Sequence, residues 1–232
     1  MLEAMPAWKS AFPGAHVGVL VLRDAYNPAH HIELEKQKAE LEEQLRIQFA
    51  GQDRATIASH PILKIYGEYY KRFKKTYHVQ LQLESIVLKG KPIPTVASLV
   101  ECMFMAEVKN LLLTAGHDLD ILQLPLTLDI TTGNESYVLL RGENQIVKAG
   151  DMMISDGLGI ISNIIYGPDQ RTQLTESTRN VVFTVYAPAG IDKQAIVQHL
   201  QDMRDYVKVI APQAKVELLE IYGDDYQYLR QN

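Results

Sequence analysis

The stretch GPDQRTQLTESTRNVVFTVYA, residues 167 to 187, decides how the rest of the chain is read. Its first part crowds Asp169, Arg171, Thr172, Thr175, Glu176, Ser177, Thr178, Arg179 and Asn180 into one short run. Its second part, VVFTVYA, is β-branched and apolar, and the GLGIISNIIY that precedes the run is apolar as well. A polar loop held between two strands is where a rigid scaffold usually presents its ligand contacts. Any single threonine here also serves as a turn former that hydrogen-bonds its own backbone. The cluster as a whole points to a site, because Arg171 and Glu176 are expensive to bury unless paired or used. On the strand, Thr184 shares a face with Val182 and Tyr186.

Working outward, the segments around this stretch alternate between short strands and turns. Residues 125–130, 136–141, 145–147, 151–155, 159–166 and 181–186 read as strands broken by TTGN, RGEN, KAGD and the polar loop, so the second half is mostly β. Beyond it, Asp192 caps a helix to about Ile210, and residues 215–221 form one more strand. In the first half, HVGVLVL (16–22) is a buried first strand. A charged helix over about 32–50 packs through Leu34, Leu41 and Leu45, carries the Glu42 and Arg46 pair, and stops at Gly51. Ser59 and Pro61 begin a helix through Lys75, residues 81–88 form a further apolar-polar segment, and a helix runs from about Val96 to Leu113 with Ser98 and Glu101 at capping-box spacing. Val100, Met103, Glu107 and Leu111 share one face of that helix. Gly116 to Asp120 reads as a polar turn; its histidine and aspartates lack a second ligand group at a matching spacing, so no metal is expected. The His30-His31 pair is equally weak evidence for one.

The chain has 232 residues and a net charge of −5, with 47% hydrophobic and 22% charged residues. That composition belongs to a folded globular protein and argues against one that holds nucleic acid through a pervasive positive field. No apolar run approaches a membrane span, no secretory signal is visible at the start, and the single cysteine suits a reducing compartment, so the expectation is cytoplasmic, without membrane attachment. A local nucleic-acid footprint is offered by Lys71, Arg72, Lys74 and Lys75 interleaved with Tyr66, Tyr69, Tyr70, Phe73 and Tyr77. The alternative is an amphipathic helix with Ile62, Ile65, Tyr69 and Phe73 inward and the lysines solvated.

Laid end to end, FPGAHVGVLVLR, KGKPIPTVASLVE, GHDLDIL, the segment with Asp156 and Gly167, and RTQLTESTRNVVF resemble the B3/B4 domain of the beta subunit of bacterial phenylalanyl-tRNA synthetase and its free-standing relatives. The resemblance covers about Trp8 to Pro188. It implies an α+β sandwich-like fold with helices, its first half α/β and its second mostly β. Residues 1–188 would be the B3/B4-like domain and 189–232 a helix-strand extension packed on it. In the synthetase this domain hydrolyses tRNA-Phe wrongly loaded with tyrosine, in a pocket between its two halves. By resemblance the pocket here is formed by Gly167, Arg171, Thr172, Thr175, Glu176, Thr178, Asn180 and Thr184. Thr184 stands where the family has a glutamate that tests the tyrosine hydroxyl, a family histidine falls near Ala115, and a helix asparagine falls near Phe104. A site that selects tyrosine needs a buried acceptor, so this pocket should prefer another ligand.

Two expectations about function follow, with no cofactor in either and no catalytic residue named. One is a trans-acting hydrolase of mischarged aminoacyl-tRNA, using a water positioned by the pocket. The other is a non-catalytic module for tRNA or a free amino acid. A small-molecule enzyme on the same fold is a third, because fold does not fix function. The chain is too short to hold the rest of a synthetase, so ligase activity is not expected.

Overall fold

The computed structural model describes residues 1–223 and the backbone of residues 227–228. In chain order the elements are β1 (Leu2–Ala4), α1 (Pro6–Ala11), β2 (His16–Arg23), α2 (Ile32–Gln48), α3 (Arg54–Ala58), α4 (Pro61–Lys71), α5 (His78–Val87), α6 (Ser98–Asn110), β3 (Leu113–Asp118), β4 (Leu126–Ile130), β5 (Ser136–Val138), β6 (Asn144–Ile146), β7 (Met152–Asp156), β8 (Gly159–Asn163), β9 (Gly167–Pro168), β10 (Val181–Ala187), α7 (Lys193–Ile210), β11 (Lys215–Tyr222) and β12 (Gln227–Tyr228). This is an α+β fold, as the sequence implies.

The strands form two larger sheets and a hairpin. One sheet has the order β1-β4-β7-β8-β9, and the other has the order β12-β11-β2-β10-β3. Among the described residues only the β1–β4 pairing is parallel, and the other ladders are antiparallel. All seven residues of β10 are buried, which explains a strand without polar alternation: both of its faces are covered. One face carries Val185 and Gly18 in register and packs under α7, where a Cβ on Gly18 would stand 2.6 Å from Ile196 Cγ2. Glycine is needed there for the helix to approach the sheet. The other face carries Tyr186, Thr184 and Val182, in register with Leu113, Ala115 and His117, and meets β8 of the second sheet through Tyr186 and Ser162. The expected boundary at 188/189 falls between β10 and α7. Beyond it α7 lies on α6, β2 and β11, and β11 is hydrogen-bonded to β2; residues 224–226 and 229–232 of the extension lie outside the described residues.

Local sequence accounts for most element ends. Asp192 caps α7 by accepting from Gln194 N at 2.7 Å. His31 caps α2 through Nδ1, and Arg46 reaches Glu42 at 3.1 Å one turn back. The helix expected to begin at Ser59 begins instead after His60, because Ser59 closes α3 by donating to Thr56 O at 2.6 Å. The segment 81–88 is the body of α5. The capping box at Ser98 does not form: Ser98 Oγ donates to Pro28 O, while Glu101 reaches back to Val96 N and pairs with the buried Lys38 at 3.1 Å. Leu111 in the left-handed region (φ 62) stops α6, so the chain turns and LTAGHD becomes the wholly buried β3 rather than a helix end and a polar turn. Nothing in the hydrophobic period distinguishes that strand from one more helical turn.

Candidate functional site

The polar loop is locked internally. Arg171 donates to both oxygens of Asp156, at 3.0 and 2.8 Å, and lies 3.5 Å from Asp169. Asp156 also accepts from Gln123 N and Leu158 N. Burial pushes its carboxyl upward, but the guanidinium and the two N–H groups outweigh that and hold it below the ordinary value. The Thr172 hydroxyl donates to Asp169, so His117 Nδ1, 2.7 Å away, carries the proton, and its Nε2 faces Ser162 Oγ at 3.3 Å. Ser162 Oγ is in turn 2.6 Å from Tyr186 Oη. Burial drives the His117 imidazole down to about 3, so it stays neutral in this network. Thr178 donates to Asp118 at 2.7 Å and accepts from Thr175 N, and Asn180 Nδ2 reaches both oxygens of Asp120. His117, Asp118 and Asp120 are therefore the loop's anchors. Thr175 bonds Ser177 at the surface, and Glu176 is exposed. Thr184 is fully buried, its hydroxyl at a marginal 3.5 Å from Ala115 O.

The basic stretch is divided in the same way. Tyr66, Tyr69, Tyr70, Phe73 and Tyr77 are core residues, with Tyr66 stacked on Tyr77 at 4.3 Å, so they cannot stack on bases. The buried stripe of α4 is Leu63, Tyr66, Tyr69 and Tyr70, with Ile62 and Ile65 at its margin. Arg72 lies over Tyr69 and donates to Gly150 O, and Lys75 lies over Tyr166 at 4.5 Å; Lys71 and Lys74 are exposed. Burial, then Lys148 and Arg141, lower the Lys75 pKa.

A cavity of about 210 Å³ opens between the two sheets, beside the outer edge of β3. Of the eight residues expected in a pocket, Gly167 lines it; Arg171, Thr172, Thr175, Glu176, Thr178, Asn180 and Thr184 do not. The walls are Val100, Met103 and Phe104 from α6, with Leu140, Leu174 and Tyr186 opposite. Ala115 and Phe104, where the resemblance puts the family's polar residues, both face this space. The polar groups come from elsewhere. Glu107 is buried, accepts from Thr114 N at 2.8 Å through Oε1, and has no partner for Oε2 among the described residues. Burial pushes its carboxyl up to about 8, the Thr114 N–H pulling the other way. Asn163 Oδ1 accepts from Tyr166 N at 2.8 Å, which fixes the amide orientation and leaves Nδ2 without a partner among the described residues. His78 stands exposed at the rim with Nδ1 3.2 Å from Tyr70 Oη, and its contact with the protein lowers its pKa. The signal for Glu107 was present in the sequence: a glutamate on the stripe of Val100 and Met103 is too apolar a setting for a surface residue.

Among the described residues no group of three His, Cys, Asp or Glu side chains could hold a metal, and no helix is long and apolar enough to cross a membrane. No protein-family model and no curated protein matches the sequence. Among solved structures, the fold is similar to an N-terminal fragment of the phenylalanyl-tRNA synthetase beta subunit from Pyrococcus horikoshii, with a TM-score of 0.54 and 11% identity. The match covers 100% of this chain and 54% of that fragment, so the chain spans about half its length. At that identity the likeness is one of fold alone.

Proposed function

We propose that this chain is a tRNA-related binding protein whose cavity receives an amino acid as the aminoacyl end of a charged tRNA, with the free amino acid as the weaker ligand. The observation that carries this reading is the cavity itself: mostly apolar, between two sheets, with a few buried polar atoms left over, on a fold similar to a synthetase beta-subunit fragment. Its B3/B4 character rests on the sequence motifs of the polar loop. Recognition without turnover is the form supported best, because the loop hydroxyls that would hold a hydrolytic water are spent on Asp118, Asp169 and one another. The basic residues Lys71 and Lys74 are free to meet tRNA phosphates.

The test is a panel of correctly and incorrectly charged tRNAs, followed for both binding and deacylation. The expected outcome is that one aminoacyl group is held in preference to uncharged tRNA, with no hydrolysis above background. Ala115→Leu, which narrows the cavity, should abolish the preference while the protein still melts cooperatively. Hydrolysis of one charged species, lost in the variant, would make the chain a deacylase. Equal binding of charged and uncharged tRNA would remove the cavity from the function.

A further inference from the structure

The cavity holds two buried polar side chains that are each half satisfied, and they lie on different walls. Glu107 belongs to α6 and Asn163 to the end of β8. Each is fixed by a backbone N–H to one of its atoms, Thr114 N to Glu107 Oε1 and Tyr166 N to Asn163 Oδ1, so the remaining atoms, Oε2 and Nδ2, are set in place and unmatched. An unmatched buried donor or acceptor is costly, and two of them lining one cavity call for a partner there, either water or a ligand group. A third group follows from strand alternation. Thr114 N and Asp118 N both point away from β10, to Glu107 and to Thr172 O, so the N–H and C=O of Gly116 point the same way, and Gly116 lines the cavity.

These groups have a definite sign. Glu107 is the one acidic residue lining the cavity, protonated while the cavity is empty below its pKa of about 8, and no lysine or arginine lines it. His78, exposed at the rim with its pKa lowered, supplies no positive charge at neutral pH. A ligand carboxylate would find no lysine or arginine to pair with, and any ionisation of Glu107 would oppose it. A ligand ammonium would give that glutamate the partner it lacks, and a ligand carbonyl needs only the neutral donors that Asn163 Nδ2 and Gly116 N–H supply.

Resting on the aminoacyl reading above, we infer that Glu107 receives the ligand's primary amine and that Asn163 and the β3 edge receive its carbonyl, so the site selects amino acids whose carboxyl is an ester or amide over free zwitterionic ones. The apolar walls formed by Met103, Phe104 and Leu174 take the side chain.

The test is calorimetric binding of leucinamide, methioninamide and phenylalaninamide, of the same three as free amino acids, and of their N-acetyl amides. The best amide should bind at least about tenfold more tightly than both its free acid and its N-acetyl form, the scale of one charge-assisted hydrogen bond. Glu107→Gln keeps the shape and the bond from Thr114, and should erase the difference between amide and N-acetyl amide. If all three forms of the best side chain bind equally, water satisfies the orphan atoms and the assignment falls, while the amino-acid reading stands. If none of the compounds binds and charged tRNA is not preferred over uncharged, the amino-acid reading itself falls.

Discussion

Arg171→Met separates a structural loop from a binding loop. The substitution removes two hydrogen bonds of 3.0 and 2.8 Å to Asp156, whose side chain has no exposed surface, and leaves that carboxylate with only Gln123 N and Leu158 N. Breaking a buried ion pair costs about 3–5 kcal/mol. Arg171 is 31% exposed, so solvent screens part of its interaction, and about 2 kcal/mol is the expected loss. For a chain of this size that corresponds to a fall in Tm of about 4–8 °C. Asp156 is held below its unfolded pKa, so its contribution is complete above the unfolded value and disappears as pH falls through the folded one; losing Arg171 raises the folded pKa and moves acid unfolding to higher pH. The assay is a double-mutant cycle of thermal melts with Asp156→Asn, where a coupling of about 1–2 kcal/mol is expected. Ligand affinity, measured well below both melting temperatures, should change by less than about twofold, since Arg171 does not line the cavity. A variant with unchanged Tm and abolished binding would refute the reasoning and return the loop to the site.

Glu107→Gln should change stability with the opposite pH sign. With its folded pKa near 8 and an unfolded value near 4.5, the wild-type protein without ligand loses stability as pH rises through that window, whereas the variant does not. Urea melts at pH 5 and pH 9 should show the variant gaining on wild type by on the order of 2 kcal/mol or more; a constant difference would mean that the carboxyl is not buried alone. Thr172→Val leaves His117 Nδ1 unmatched in a buried network and removes one of Asp169's donors, and should cost about 1–3 kcal/mol in a urea titration, against a near-neutral result for Thr175→Val at the surface. Gly18→Ala drives a methyl group into Ile196 and should lower stability by about 1–3 kcal/mol; an unchanged Tm would show that α7 slides freely on the sheet. Replacing Lys71 and Lys74 together by glutamate should weaken tRNA binding and flatten its salt dependence while the Tm stays put, because both side chains are exposed; unaltered binding would place the tRNA on another face.

The fold was legible wherever periodicity and capping were local. The seven-residue β10, the leucine stripe of α2 and the Asp192 cap of α7 each carry their signal in adjacent residues. β3 was not legible, because LVECMFMAEVKNLLLTAGHD has the composition of one long helix with a polar end. Its break depends on Leu111 adopting a left-handed conformation, which nothing in the side chain requests. The site suffered from the same limit. Density of polar residues picked out the loop from Asp169 to Asn180, and density was a true sign of a hydrogen-bonded network. Yet the buried members of that network, Thr172 and Thr178 among them, are paired with protein groups, so density alone does not mark the cavity. The residues that do have something left, Glu107 and Asn163, are single polar groups in apolar runs, and only the geometry of their one satisfied bond shows that the other atom is orphaned.

The cavity and the end of α6 have a common origin. β3 is the last strand of its sheet, and an exposed edge of that kind invites pairing with another chain. Here the outward N–H of Asp118 is taken by Thr172 O from the polar loop and that of Thr114 by Glu107 from the helix that has just ended. The left-handed turn at Leu111 folds the chain back so that Glu107 can span seven residues to Thr114. Gly116, between those two covered positions, cannot be capped by either element, and the space left beside it is the cavity. A ligand carbonyl accepting from Gly116 would therefore complete the edge as the next strand would. It follows that Leu111→Pro should damage the site along with the helix end, because proline is confined to negative φ. The pairing between Glu107 and Thr114 should then be lost, and with it any preference for an amine. A variant that lost α6 stability by hydrogen exchange yet still distinguished an amide from its N-acetyl form would show that the turn and the site are independent.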